Sequence, residues 1–305
     1  MPGPSTHVVT GATGYTGKYI TRLLLERGDA VRTLTGHPDR PTPFGDRVPR
    51  FAFDFEEPER MLEAFRGADT LFNTYWVRFN YGNRTYDRAV ANSKVLFEVA
   101  REAGVRRIVH VSIANPSADS PFAYYRGKAE LEQFLGGLGI PHSIVRPAVI
   151  FGDEDILINN MAWCLRNFPF FGVPGDGAYR MQPIFVEDMA RHCVEAAGRE
   201  GNETFDACGP EIFSFDEWLR AIAKTVGVRA RLVHLPKRLA YWTSKVVGWI
   251  VGDVVLTWEE VGGLSSGLLE SREPPRGTTR LTDWLAKNAT NAGVSYASEV
   301  ARHFR

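Results

Sequence analysis

VVTGATGYTGKYITRLLLERG, residues 8–28, runs from a short apolar stretch through three glycines into an amphipathic helical pattern. Gly11, Gly14 and Gly17 stand at GxxGxxG spacing. A glycine triplet alone marks no more than a tight turn. Between a strand and a helix it meets the needs of a dinucleotide: special backbone angles, close approach of main chain to pyrophosphate, and free N–H groups at a helix start. Gly11, Thr13, Gly14, Tyr15 and Gly17 are the candidate cradle.

Outward from that loop, apolar runs alternate with helix-like segments. The runs are HVVT near His7, AVRTL near Ala30, RFAF near Arg50, TLFNTY near Thr70, RIVHVS near Arg107 and HSIVRP near His142. ERMLEAF and RAVANSKVLFEVAREAG lie between them, the second stopping at Gly104. Such alternation predicts an α/β fold, a doubly wound parallel sheet in the order 3-2-1-4-5-6. After Arg146 the texture turns to Gly, Pro and aromatics, followed by FVEDMARHCVEAAG and SFDEWLRAIAKTVG, which are capped like helices. The expected division is a dinucleotide-binding core over 1–150 and a small, mostly helical C-terminal subdomain over 151–305. The latter is expected on the substrate side, returning in part to the core.

Lys plus Arg and Asp plus Glu both total 36 in 305 residues, so no overall field favours nucleic acid or anionic lipid. Cys164, Cys193 and Cys208 lack metal-type spacing and suit apolar thiols in a reducing compartment. MPGPSTHVV shows neither a basic region nor an apolar run, which makes the cytoplasm the default location. RLAYWTSKVVGWIVGDVVLTW, residues 238–258, is broken by Lys245 and Asp253, short of the ~20 apolar residues that span a bilayer. It reads as an amphipathic helix, buried or lying on a surface, with a partner-facing role or peripheral membrane contact as the minor alternative. HExxH and Walker patterns do not occur, which removes support for zinc protease and NTPase chemistry.

The second strand ends in RTLTGHPDR, where an acid would bind the ribose hydroxyls of NAD. Thr35, Gly36 and His37 occupy the turn instead, and His37 or Arg40 could pair with a 2′-phosphate. NADP is therefore preferred over NAD. Asp54, in AFDFEE, has two readings, acceptor from the adenine amino group or cap of the following helix.

SPFAYYRGKAELE, residues 120–132, places Tyr124 and Lys128 on one helix face, with Tyr125 as the rival tyrosine. TGATGYTG, HVS, YYRGK and RPAVIFG occur in the order seen in the short-chain dehydrogenase/reductase superfamily. The chain resembles its extended or atypical members: NmrA-like proteins, nucleotide-sugar epimerase/dehydratases, and relatives of the nucleotide-binding accessory subunit of respiratory complex I. PGDGAYRMQPIFVEDMA resembles the segment that returns to the core in those proteins. The resemblance covers about the first 210 residues. It implies a Rossmann fold and hydride transfer at a carbonyl or alcohol carbon of a small molecule. Tyr124 would be general acid/base, Lys128 its partner and a holder of the nicotinamide ribose, and Ser112 the donor to the reacting oxygen.

Tyrosine is a poor base near neutrality, and a nearby ammonium favours its phenolate. Ser112 is followed by Ile113 rather than a second hydroxyl, so Asn115 or Ser117 stand as alternative donors. NTYWVRFNYGNR brings Tyr75, Trp76, Arg78, Phe79 and Tyr81 to the expected nicotinamide end, and Arg180 and Gln182 join them as candidates for the same cleft. Arg146 reads as a hinge. The alternative function is a non-catalytic nucleotide sensor or scaffold, monomeric or paired as a homodimer through its long helices.

Overall fold

The apolar runs of the N-terminal half become parallel strands whose side chains are mostly buried, as a sheet covered on both faces requires, except in the edge strand Arg50–Ala52. They are β1 (Thr6–Thr10), β2 (Ala30–Thr35), β3 (Arg50–Ala52), β4 (Thr70–Asn73), β5 (Arg107–Val111) and β6 (His142–Pro147). Between them run α1 (Tyr15–Glu26), the short α2 (Leu62–Phe65), α3 (Tyr86–Glu102) and α4 (Ala123–Gly137). Then follow β7 (Val149–Phe151), α5 (Ile156–Asn167), β8 (Phe171–Pro174), β9 (Arg180–Met181), β10 (Pro183–Phe185), α6 (Val186–Ala196) and β11 (Glu203–Ala207). The computed structural model describes residues 5–288 and 291–303; residues 1–4, which open the stretch read for a targeting signal, lie outside it.

The central sheet has seven parallel strands in the order β11-β6-β5-β4-β1-β2-β3. This is the expected 3-2-1-4-5-6 order with β11 added beside β6. The chain divides into two compact units, residues 1–147 with 186–207 and residues 148–185 with 208–305. α6 returns to the first unit and packs on α1, with Arg22 donating to Glu187 at 2.6 Å. Val8, Leu34, Leu71, Leu96, Phe97, Ile108 and Leu131 belong to the first core.

The second unit has its own core around Phe151, Met161, Trp218 and Ile222. Its elements after Ala207 include β12 (Phe213–Ser214), α7 (Phe215–Thr225), β13 (Leu232–Leu235) and α8 (Lys237–Val251). α7 starts on a reciprocal capping box between Ser214 and Glu217, which ties off two backbone donors. Three small two-stranded pairings, β10 with β7, β12 with β9 and β13 with β8, accompany the helices. Their strands are only two to four residues long, too short for an alternating pattern to emerge from the sequence.

Candidate functional site

Gly11 adopts φ 64° and its N–H donates to the Leu34 carbonyl at 2.8 Å, while Gly14 N–H donates back to the Gly11 carbonyl at 2.8 Å. A Cβ on Gly17 would lie 2.2 Å from the Gly11 oxygen, so only glycine lets α1 start against this turn. Gly14 caps α1 without a side-chain hydrogen bond, and the first turn holds no acid. Its N–H groups and the positive helix end suit a phosphate. The Thr33 hydroxyl accepts from Ala12 N at 3.0 Å and fixes the loop from below. Thr13 is exposed on the loop, and half-buried Tyr15 packs edge-on to Tyr19. These features fit the pyrophosphate of a dinucleotide.

At the end of β2, half-buried His37 has its imidazole pushed below the ordinary range, first by burial and then by the positive charges of Arg40 and Arg84. Arg84 comes from the far side of the long loop after β4, where Tyr81 and Arg84 bridge each other. Nothing local in the sequence ties Arg84 to His37, so spacing alone does not point to it. Asp54 accepts from Glu57 N at 2.9 Å and from Arg60 at 3.1 Å. These bonds close the turn ahead of the short helical stretch Pro58–Met61, whose N-cap position is Glu57.

Tyr124 and Lys128 converge on Trp76. The Tyr124 ring meets the indole edge-on at 5.6 Å between centroids, and the Lys128 ammonium lies 4.2 Å from the indole centroid. Gly127 makes this possible: a Cβ there would stand 3.1 Å from the indole and 2.9 Å from Val90. The glycine inside YYRGK was the available signal. Lys128 is 2 % exposed and donates to the Val111 carbonyl at 2.9 Å. Burial pushes its ammonium down to about 7, against the pull of the Glu132 carboxylate. His110 beside it is held neutral by complete burial and by the Lys128 charge. Tyr125 turns into the interior, where burial raises its phenol well above the ordinary range.

Ser112 lies at the end of β5, buried, and its hydroxyl donates to Glu132. Glu132 in turn receives a two-pronged bond from Arg146, with Nε at 2.9 Å. Arg146 is thus a structural clamp between β6 and α4, and the Ser112 proton is committed to the same clamp. Asn115, just beyond, adopts a left-handed φ of 53°, a conformation asparagine tolerates better than most.

Of the aromatics in the loop after β4, Trp76 meets both members of the pair. Tyr75 packs on Phe53 and Phe55 and accepts from Asn92, Phe79 is 1 % exposed, and Tyr81 points outward. Arg78 lies over the Phe79 ring. In the second unit Arg180 is forked onto Glu270, and Gln182 bonds the Gly209 carbonyl and Ser271 N–H, so both serve local structure there. No cluster of metal-ligating side chains exists among the described residues.

Residues 11–160 match a family model described as NAD(P)H-binding. The chain is 28% identical over 285 residues to a curated Arabidopsis thaliana protein, the mitochondrial NADH dehydrogenase [ubiquinone] 1 alpha subcomplex subunit 9, covering 86% of this chain and 70% of that one. The Dictyostelium discoideum subunit of that name is 28% identical over 70% of this chain, which spans 62% of its length. Among solved structures, triphenylmethane reductase of Citrobacter sp. with NADP(H) superposes with a TM-score of 0.76 at 19% identity, covering 93% of this chain and 99% of that one. An NADPH-dependent quinone oxidoreductase of Escherichia coli gives 0.77 at 18%, over 93% and 98%. At such identities the two structures attest the fold. The glycine cradle, the sheet order and the matched family model agree: residues 11–160 form an NAD(P)H-binding domain on a Rossmann-type fold.

Proposed function

We propose that the chain binds NADP(H) and carries out oxidoreduction at a carbonyl or alcohol carbon of a small molecule, alone or as the first step of an epimerase or dehydratase reaction. The observation that supports it is the buried Lys128 ammonium one helical turn from Tyr124, both resting on Trp76 in the unit that holds the glycine cradle. A reduced nicotinamide bound there supplies the hydride to the carbonyl carbon. Tyr124 delivers the proton to the carbonyl oxygen and is reprotonated from solvent. Lys128 favours the phenolate left behind and is placed to hold the ribose hydroxyls. Arg40 and Arg84 supply positive charge beside His37, a corner that suits the 2′-phosphate of NADP. Asp54, with both oxygens engaged by Glu57 N–H and Arg60, is assigned to the turn after β3 rather than to the adenine.

Ser112 changes role in this proposal. Its hydroxyl proton serves Glu132, so it positions α4 against β5, and Tyr124 is the donor to the reacting oxygen. NADPH oxidation with a panel of aldehydes, ketones and quinones tests the scheme. Tyr124→Phe should lower kcat by about 100-fold or more, the usual weight of a general acid, while NADPH affinity stays within about twofold. Ser112→Ala should cost less than about tenfold; a 100-fold loss would return Ser112 to the role of catalytic donor.

A second reading, a non-catalytic nucleotide-holding scaffold, is favoured by that same Ser112–Glu132 bond and by the likeness to complex I accessory subunits. Firm NADPH retention with no oxidation of the cofactor by any substrate of the panel would select it.

A further inference from the structure

α8 carries Leu239, Trp242, Val246, Trp249 and Ile250 at 49, 66, 60, 85 and 58% exposure. At 3.6 residues per turn these five fall within roughly 100° of arc, a single apolar face. Singly exposed apolar residues are ordinary, but two tryptophans on one continuous face mark a contact surface. The opposite side of the helix is held down by buried Ala240 and Gly248, and a Cβ on Gly248 would lie 2.6 Å from the Asp253 carbonyl oxygen.

Charge identifies what the face meets. α8 contains Lys237, Arg238 and Lys245 and no acid. On the helical wheel Arg238 and Lys245 border the tryptophan edge of the apolar arc. The first acid beyond the helix, Asp253, directs its carboxylate to the Tyr296 hydroxyl and to the N–H groups of Glu299 and Val300, where it cannot offset these cations directly. We propose that α8 lies in the plane of an anionic phospholipid surface, its Trp242 and Trp249 rings at headgroup depth and Arg238 and Lys245 on lipid phosphates. Tryptophan prefers that boundary, and an apolar face bordered by cations is the pattern of helices that rest in it. A second copy of the chain is the poorer occupant, since pairing two such faces would set cations against cations. No helix among the described residues is long and apolar enough to cross a membrane, so this contact is peripheral.

Cosedimentation of the full chain with vesicles tests the assignment, using phosphatidylcholine alone and an equimolar mixture with phosphatidylglycerol. Binding to the mixture and little to phosphatidylcholine is expected. W242S/W249S should weaken it by about tenfold or more, and R238Q/K245Q by about fivefold per cation. NADPH binding, read in parallel, should be unchanged in both variants and shows that they are folded. Failure of the native chain to bind the mixture, or equal binding to both vesicles, would overturn the assignment. So would a dimer in sedimentation that W242S/W249S converts to monomer, which would give the face to a second copy.

Discussion

Lys128→Met should make the folded protein more stable by about 1–3 kcal/mol at mildly acid pH and lose that advantage at strongly alkaline pH. The lysine is 2 % exposed, and burial takes its ammonium from the ordinary 10.5 down to about 7. Below about 7 both folded and unfolded chains hold the proton, and the folded state bears the full cost of burying it. Between about 7 and 10.5 the unfolded chain keeps the proton and the folded chain releases it, so stability rises with pH across this window. Each unit is worth about 1.4 kcal/mol, which puts the ceiling near 5. The indole beneath the ammonium and the Val111 carbonyl both favour the charged form, and methionine leaves that carbonyl without its donor, which together bring the net gain down. Urea unfolding of both proteins across this range measures the difference. Parallel stability curves would mean that Lys128 titrates as an ordinary lysine, and the site would lose its most unusual group. A buried cation that methionine could replace to advantage is hard to explain by folding alone, and functional sites are where such costs concentrate.

How the sequence announced this arrangement depended on distance along the chain. The glycine loop and the six strand runs were legible because each signal is local: a turn that excludes Cβ atoms, a buried run of five or so residues, a helix stop at Gly104. Tyr124 and Lys128 were legible as a shared helix face for the same reason. What the sequence did not show are the partners brought in from elsewhere. Trp76 was in view only as one of five side chains in the β4–α3 loop, Glu132 takes up the Ser112 hydroxyl with Arg146 behind it, and Arg84 reaches the charge field of His37 across 47 positions. Spacing rules see neighbours on one element, whereas these contacts exist only after the sheet has ordered its strands. Ser112 illustrates the cost: a serine at a strand end reads as a donor into the site until the carboxylate that receives its proton is seen.

Gly17→Ala should abolish measurable nucleotide binding, a loss of about 100-fold or more, because the added carbon meets fixed backbone on three sides. The nearest atoms are the Gly11 oxygen at 2.2 Å, the Gly11 carbonyl carbon at 2.9 Å and the Thr10 oxygen at 3.2 Å. None belongs to a flexible side chain, so relief requires moving α1 away from the loop or twisting the turn that Gly11 makes at φ 64°. Either motion takes the first-turn N–H groups off the position where a pyrophosphate would accept from them. Helix propensity pulls the other way, since alanine in a helix gains about 1 kcal/mol over glycine. Gly136→Ala supplies the comparison: this α4 glycine has open space around it, and the change should stabilise by up to about 1 kcal/mol and leave binding intact. NADPH titration by nicotinamide fluorescence, with thermal melts of the same samples, separates the two effects. Should Gly17→Ala bind like the native chain while Gly136→Ala behaves as described, the close approach of loop and helix would be a packing device. The phosphates would then have to be sought at another helix start.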